Sequence, residues 1–177
     1  MPLPYCQTAP NNPIHAVYHA TEYGFPATDE RVLFERLCLE IMQAGLSWGT
    51  ILKKRKALNK AFDHFRVSKI AVYGAWDVAR LLSNETIIRN RLKIQAIIAN
   101  AGTVLAMRQT HGGFSKWLNA HHPQSKPAWI KLFGQTFTFT GGEITGEFLM
   151  SLGYLPGAHC PTCAVYKKIA ALKGRGC

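Results

Sequence analysis

The stretch CLEIMQAGLSW, Cys38 to Trp48, puts a carboxylate where a helix should be apolar. At about 100° per residue, Leu33, Leu37, Ala44 and Trp48 share one helical face, with Ile41 and Phe34 on its shoulder. Glu40 projects between Leu33 and Leu37, near the centre of that stripe, while Arg31 and Glu35 point the other way. The spacing predicts a helix capped by Thr28 or Asp29 and running through Ser47 or beyond. A lone carboxylate on a buried face is costly unless something pairs with it. Glu40 is therefore the first candidate functional residue. The bland alternative is an internal pair, with Tyr18 or a backbone amide.

Working outward, the pattern stays helical. LKKRKALNKAF reads as a basic helix from about Thr50 to Phe62. VSKIAVYG and DVARLLSN read as short helices, the second capped by Asp77. Apolar residues recur at helical spacing from Ile87 to Met107, Gly112-Gly113 breaks the chain, and Phe114 to Asn119 is another short helix. FGQTFTFTGGE is the only strand-like run, short and ended by Gly141-Gly142, and EITGEFLMSLG returns to helical spacing. The tail, CAVYKKIAALKGRG, reads as a basic helix. With no repeats and no low-complexity linker, the expectation is one all-α domain spanning residues 1–177.

Composition narrows the partners. The 177 residues carry 21 Lys+Arg against 10 Asp+Glu, a formal charge of +11 that favours a polyanion, nucleic acid first. Scattered solvated lysines are the plain alternative. Lys53, Lys54, Arg55, Arg89, Arg91 and Lys93 are candidate phosphate contacts. No stretch approaches the roughly 18 apolar residues of a membrane span. MPLPYCQTAPNNP lacks a basic start and an apolar core, so no signal peptide is expected and the cytoplasm is the default location.

Five cysteines without an export signal do not read as a disulfide framework. HCPTC holds Cys160-x-x-Cys163 beside His159, and the N-terminus offers Cys6, His15 and His19. A tetrahedral zinc site of Cys6, His19, Cys163 and either His159 or Cys160 would tie the chain ends together. Local spacing favours Cys160. Four protein ligands leave no open position, so such a zinc is structural. A redox Cys-x-x-Cys lacks its βαβ context. Gly141-Gly142, ahead of a helix starting near Glu143, suggests a turn with φ > 0 whose exposed amides grip a phosphate at a helix N-terminus.

YHATEYGFP (Tyr18 to Pro26), CLEIMQAGLSWGTILKKR (Cys38 to Arg55), IIRNRLKIQAIIANA (Ile87 to Ala101) and HCPTC together resemble the 3-methyladenine DNA glycosylase I family. The resemblance runs from about Cys6 to Cys163. It implies an all-α helix-hairpin-helix glycosylase domain, its N- and C-terminal segments joined by a structural zinc. It also implies an enzyme that excises 3-methyladenine from alkylated double-stranded DNA, as a monomer. It places the zinc on Cys6, His19, His159 and Cys163, choosing His159 over Cys160. Glu40 matches the base-recognising glutamate, and Tyr18 and Trp48 match aromatic walls. Gln43, Ala44 and Gly45 continue the motif. Three positions depart from the family pattern: Tyr23 stands where tryptophan is usual, His15 where tyrosine is usual, and Leu92 where glycine is usual.

On this resemblance, Glu40 pairs with the cationic N3-methylated adenine once it has flipped from the duplex, and Tyr18, Tyr23 and Trp48 stack on it, with His15 beside the pocket. Gly141, Gly142, Lys53, Arg89 and Arg91 hold DNA backbone. The catalytic aspartate that wider relatives place after the hairpin is absent, because Asp77 is the last aspartate. Catalysis then rests on base recognition, with water attack unassisted or assisted by Glu40. No lysine is placed for a Schiff base, so strand cleavage is not expected. The rival from another class is a zinc-stabilised DNA-binding module without glycosylase activity.

Overall fold

The computed structural model describes residues 5–173. Gly174 to Gly176 of the predicted tail helix, and Cys177, lie outside them. Among the described residues there is no strand. The described residues form eleven α-helices: α1 Tyr5–Thr8, α2 Pro13–Thr21, α3 Glu30–Gln43, α4 Trp48–Ala61, α5 Val67–Ile70, α6 Ala75–Ser83, α7 Arg91–Thr110, α8 Phe114–His121, α9 Lys126–Thr136, α10 Gly142–Ser151 and α11 Ala164–Lys173. The all-α expectation holds. The chain separates into two compact units, one of residues 5–26 with 149–173, the other of residues 27–148.

In the larger unit α3 is the centre. Its ten residues from Leu33 to Met42 are buried apart from half-buried Glu35, so it is enclosed nearly all round rather than along one stripe. It packs against α4, α5, α7 and α8. Asp29 caps it, accepting from the amides of Arg31 at 2.9 Å and Val32 at 3.1 Å. The helix stops at Gln43, four residues before the expected Ser47, because Ala44 leaves the helical region (φ −48°, ψ 119°) and Gly45 takes a left-handed φ of +79°. Ser47 then caps a new helix through the Thr50 amide at 3.2 Å.

Other boundaries shift for local reasons. Gly74, not Asp77, is the N-cap of α6; the Asp77 carboxylate reaches back to accept from the Gly74 amide at 3.1 Å. Ile87 lies before α7, which starts only after the Asn90 cap. The strand-like FGQTFTF is half helix: α9 runs to Thr136, and Phe133 and Phe137 join an aromatic cluster with Trp117, Phe114 and Phe148. The near-alternation of phenylalanines reflects that cluster, not a pleat.

α9, residues 137–141 and the start of α10 form a helix-hairpin-helix element. Its turn is made differently from the expectation. Neither Gly141 nor Gly142 has φ > 0; the left-handed residue is Phe139, at +63°. Thr140 closes α9 by donating to the carbonyls of Phe133 at 3.1 Å and Phe137 at 3.2 Å. Asn100 of α7, 1% exposed, clamps the loop from below. Its amide donates to the Thr138 carbonyl at 3.0 Å and its oxygen accepts from the Thr138 amide at 2.7 Å. Replacing Asn100 by Ala leaves both backbone groups without this partner, and the variant is expected to lose about 2 kcal/mol in urea unfolding.

Candidate active site

Glu40 is 5% exposed inside the larger unit. Its carboxyl is pushed up from 4.5 to about 8, chiefly by burial and then by the neighbouring Glu147 carboxylate, with Arg36 pulling weakly the other way. No hydrogen bond to this carboxyl occurs among the described residues. Arg36, itself buried, sits one turn earlier on α3 and went unnoticed in the sequence because a charged residue next to Leu37 reads as solvated. Arg36 only partly offsets desolvation and the Glu147 charge, and the carboxyl favours its neutral form at neutral pH.

The segment after Glu40 is held in place by a residue expected on the surface. Lys93 is 5% exposed, and its ammonium donates to the carbonyls of Met42 at 2.8 Å and Ala44 at 2.5 Å. A cation on the terminal carbonyls of α3 satisfies orphan acceptors and complements the helix dipole. Desolvation lowers the Lys93 pKa. Gln43 adds a bond from its side-chain amide to the Leu46 carbonyl at 3.0 Å. Trp48, half-buried, therefore begins α4 and does not continue the α3 face that carries Glu40.

The other basic candidates divide. Lys53, Arg89 and Arg91 are exposed. Arg89 lies 3.9 Å from Glu85 in a solvated pair, which leaves it largely available. Lys54 donates to the Thr86 carbonyl at 2.9 Å, and Arg55 is engaged with Glu35 at 2.8 Å. Gly141 has open space where a Cβ would point, so its backbone is approachable, whereas a Cβ on Gly142 would press on Ile130 at 3.3 Å.

The smaller unit carries the remaining candidates. Tyr18 and Tyr23 are buried at 4% and 8% exposure, their rings 5.8 Å apart. His15 does not join the metal-ligating cluster; its Nδ1 lies 3.1 Å from the Tyr5 hydroxyl. Tyr5, which sequence reasoning missed, also meets the rings of His19 and Tyr23 edge-on.

Cys6, His19, His159 and Cys163 converge, their donor atoms all within 4.8 Å of one another. Cys6 Sγ lies 3.5 Å from His159 Nδ1, and Cys163 Sγ lies 3.6 Å from both His159 Nδ1 and His19 Nε2. Two sulfurs and two nitrogens around a tetrahedral ion at ordinary bond lengths stand about 3.5 Å apart. The donors fit a metal ion. His159 Nε2 donates to the Tyr23 carbonyl at 2.6 Å, which leaves Nδ1 as the metal-facing lone pair. Cys160 stays outside the cluster, its sulfur 3.4 Å from Thr162 Oγ1. Gly24 makes room: it has φ +82°, and a Cβ there would come within 3.0 Å of His159 and Ile169.

The profile of the methyladenine glycosylase family matches residues 8–133. The chain belongs to that family. It is 36% identical over 180 residues to DNA-3-methyladenine glycosylase 1 of Escherichia coli K12, covering 91% of this chain and 96% of that protein. A crystal structure of 3-methyladenine DNA glycosylase I superposes with TM-score 0.77 at 37% identity, over 86% of this chain and 94% of the other. The Staphylococcus aureus enzyme, solved to explain its recognition of 3-methyladenine, gives TM-score 0.82 at 31% identity over 91% and 95%.

Two outcomes are expected of this methyladenine glycosylase. A carboxyl whose folded pKa is raised favours folding below its unfolded pKa, near 4.5, and that support is lost as pH rises toward about 8. Glu40→Gln should therefore match the native protein in stability near pH 4.5 and exceed it by a few kcal/mol at pH 9, read by thermal or urea unfolding. For the metal cluster, Cys160→Ser should leave the bound-metal content and melting temperature unchanged, whereas Cys6→Ser should lower both, read by elemental analysis and calorimetry.

Proposed function

We infer that this chain is a monofunctional DNA glycosylase that hydrolyses the bond between 3-methyladenine and deoxyribose in alkylated double-stranded DNA. The observation that carries this is Glu40: a buried carboxyl with no hydrogen bond among the described residues, on the segment CLEIMQAGLSW, in a chain of this family. A cationic base brought against it would supply the missing charge. The carboxyl would then ionise, and the resulting charge-assisted hydrogen bonds are strong in a desolvated setting. Unmodified adenine has no positive charge with which to draw the proton off. The relative from Staphylococcus aureus, solved to explain recognition of 3-methyladenine, supports the choice of base.

The proposal assigns Tyr18, Tyr23 and Trp48 to stacking on the base, each adding about 0.5–2 kcal/mol of cation–π attraction, with His15 as a pocket residue. Gly141, Gly142, Lys53, Arg89 and Arg91 are assigned to the DNA backbone, holding it while the nucleotide is extruded. Hydrolysis passes through an oxocarbenium-like sugar, and alkylation already makes the base a good leaving group. The chain can therefore do without the absent aspartate: only Glu85, Glu143 and Glu147 are acidic after Asp77. Water attack is unassisted or assisted by Glu40.

We assign the metal as zinc, because two thiolates and two imidazoles in tetrahedral spacing are its preferred donor set. Cys6, His19, His159 and Cys163 would hold it as a structural ion. No described helix is long and apolar enough to cross a membrane. We propose that the protein acts in the cytoplasm, as a monomer with one functional domain.

The test is release of free base from methylated DNA, followed by chromatography. Glu40→Gln should abolish release, and Lys60→Ala, at an exposed position outside the proposed site, should not. Salt-sensitive DNA binding with no released base would instead mark a non-catalytic module. For the native enzyme, kcat/KM should rise with pH through about 8 and level off above it, because Glu40 must ionise to pair with the cation.

A further inference from the structure

HCPTC carries two thiols, and the metal cluster takes only Cys163. Cys160, the other, is half-buried in the loop before α11, its sulfur 3.4 Å from Thr162 Oγ1. A free cysteine that serves only packing is ordinarily a buried small hydrophobe, and Cys160 is not buried. The Cys6 sulfur lies against the two residues just before it, 3.8 Å from the Ala158 carbonyl and 3.5 Å from His159 Nδ1. It meets Cys160 as well, through both the amide and the thiol of that residue. Toward Cys163, the Cys160 sulfur faces the backbone amide instead. The loop is folded tightly here, with the Cys163 amide donating to the Cys160 carbonyl at 2.9 Å. A spare, accessible thiol is thus held beside one donor of the metal site, from outside the site. That is the placement of a resolving thiol next to an oxidisable one.

We propose that Cys160 is a resolving thiol for Cys6: when hydrogen peroxide oxidises the Cys6 thiolate, Cys160 captures it as a disulfide and reversibly removes one metal donor. The loss of metal rests on the zinc assigned above; the pairing of the two sulfurs does not. In the first step the Cys6 thiolate attacks one peroxide oxygen and the O–O bond breaks, giving a sulfenic acid on Cys6 and hydroxide. In the second, the Cys160 sulfur attacks the Cys6 sulfur and the S–O bond breaks. The Cys160 proton leaves with the hydroxyl group as water. Together the two sulfurs lose two electrons, and peroxide is reduced to hydroxide and water. Three donors then remain in the cluster, too few for a closed tetrahedral site. The disulfide keeps α1 joined to the HCPTC loop and protects Cys6 from the irreversible sulfinic stage. Reducing thiols undo the link and restore the fourth donor.

The experiment treats the zinc-loaded native chain and Cys160→Ser with excess hydrogen peroxide, then with dithiothreitol and fresh zinc. Elemental analysis before treatment reads the zinc assignment by itself. Both proteins should begin with equal metal content and equal melting temperature. Peroxide should release the metal from the native chain, and tandem mass spectrometry of its peptides should show Cys6 linked to Cys160. Dithiothreitol and zinc should then restore metal content and melting temperature. Cys160→Ser should also lose its metal, but with Cys6 carried to the sulfinic acid, which dithiothreitol does not reduce; its recovery should be lower by about fivefold or more. Absence of the Cys6–Cys160 link in the treated native chain overturns the proposal, as does a link from Cys6 to Cys163 in its place. Full recovery of Cys160→Ser overturns it too. A native chain that holds no metal yet forms the Cys6–Cys160 link would remove the zinc assignment and uphold the resolving thiol.

Discussion

Burial of one carboxyl sets the electrostatics of the larger unit. Water stabilises a carboxylate strongly, and taking Glu40 out of water raises its pKa to about 8 even with Arg36 nearby. A residue in that state weakens the fold above its unfolded pKa. Such a cost persists where it serves function. In the proposed function, the same desolvation that burdens the free protein would give a cationic base its advantage over a neutral one. The pH dependence of stability and the proposed selectivity thus trace to one buried side chain, and the like charge of Glu147 adds to the cost of ionising it.

Rigidity around that side chain comes from polar groups that satisfy backbone ends. Lys93 covers the last carbonyls of α3, Gln43 ties its side chain to Leu46, and Ser47 starts the next helix. Together they fix a sharp reversal around Gly45, so Glu40 and Trp48 belong to two helices instead of one. The hairpin follows the same logic, with Asn100 supplying the pair of hydrogen bonds that a neighbouring strand would otherwise give Thr138. In both places a buried polar side chain does what local sequence could not.

In the smaller unit, four donors from α1, α2 and the loop before α11 occupy spacing suited to a tetrahedral ion. A hydrogen bond between His159 and the Tyr23 carbonyl orients one of them, and Gly24 allows the close approach of chain segments that this requires. A short helix such as α1 has little intrinsic stability, and a metal that links it to distant residues raises the cost of unfolding it.

The sequence by itself determined the all-α class, a helix cap at Thr28 or Asp29, the oddity of Glu40 and the resemblance that singled out its segment, because helical periodicity and side-chain chemistry are local properties. Cys6, His19 and Cys163 were legible as candidate metal donors, though local spacing pointed to Cys160 as the fourth, and only the resemblance chose His159. Tertiary structure decided the rest. Which sulfur or imidazole faces the cluster depends on the path of the HCPTC loop, and that path leaves Cys160 beside Thr162. Lys93 reads as a surface cation until the end of α3 is placed against it. Gly141-Gly142 reads as the left-handed turn until Phe139 takes that conformation, a choice set by the clamp from Asn100 and the caps from Thr140. Each of these depends on contacts between residues far apart in the chain, which no local spacing encodes.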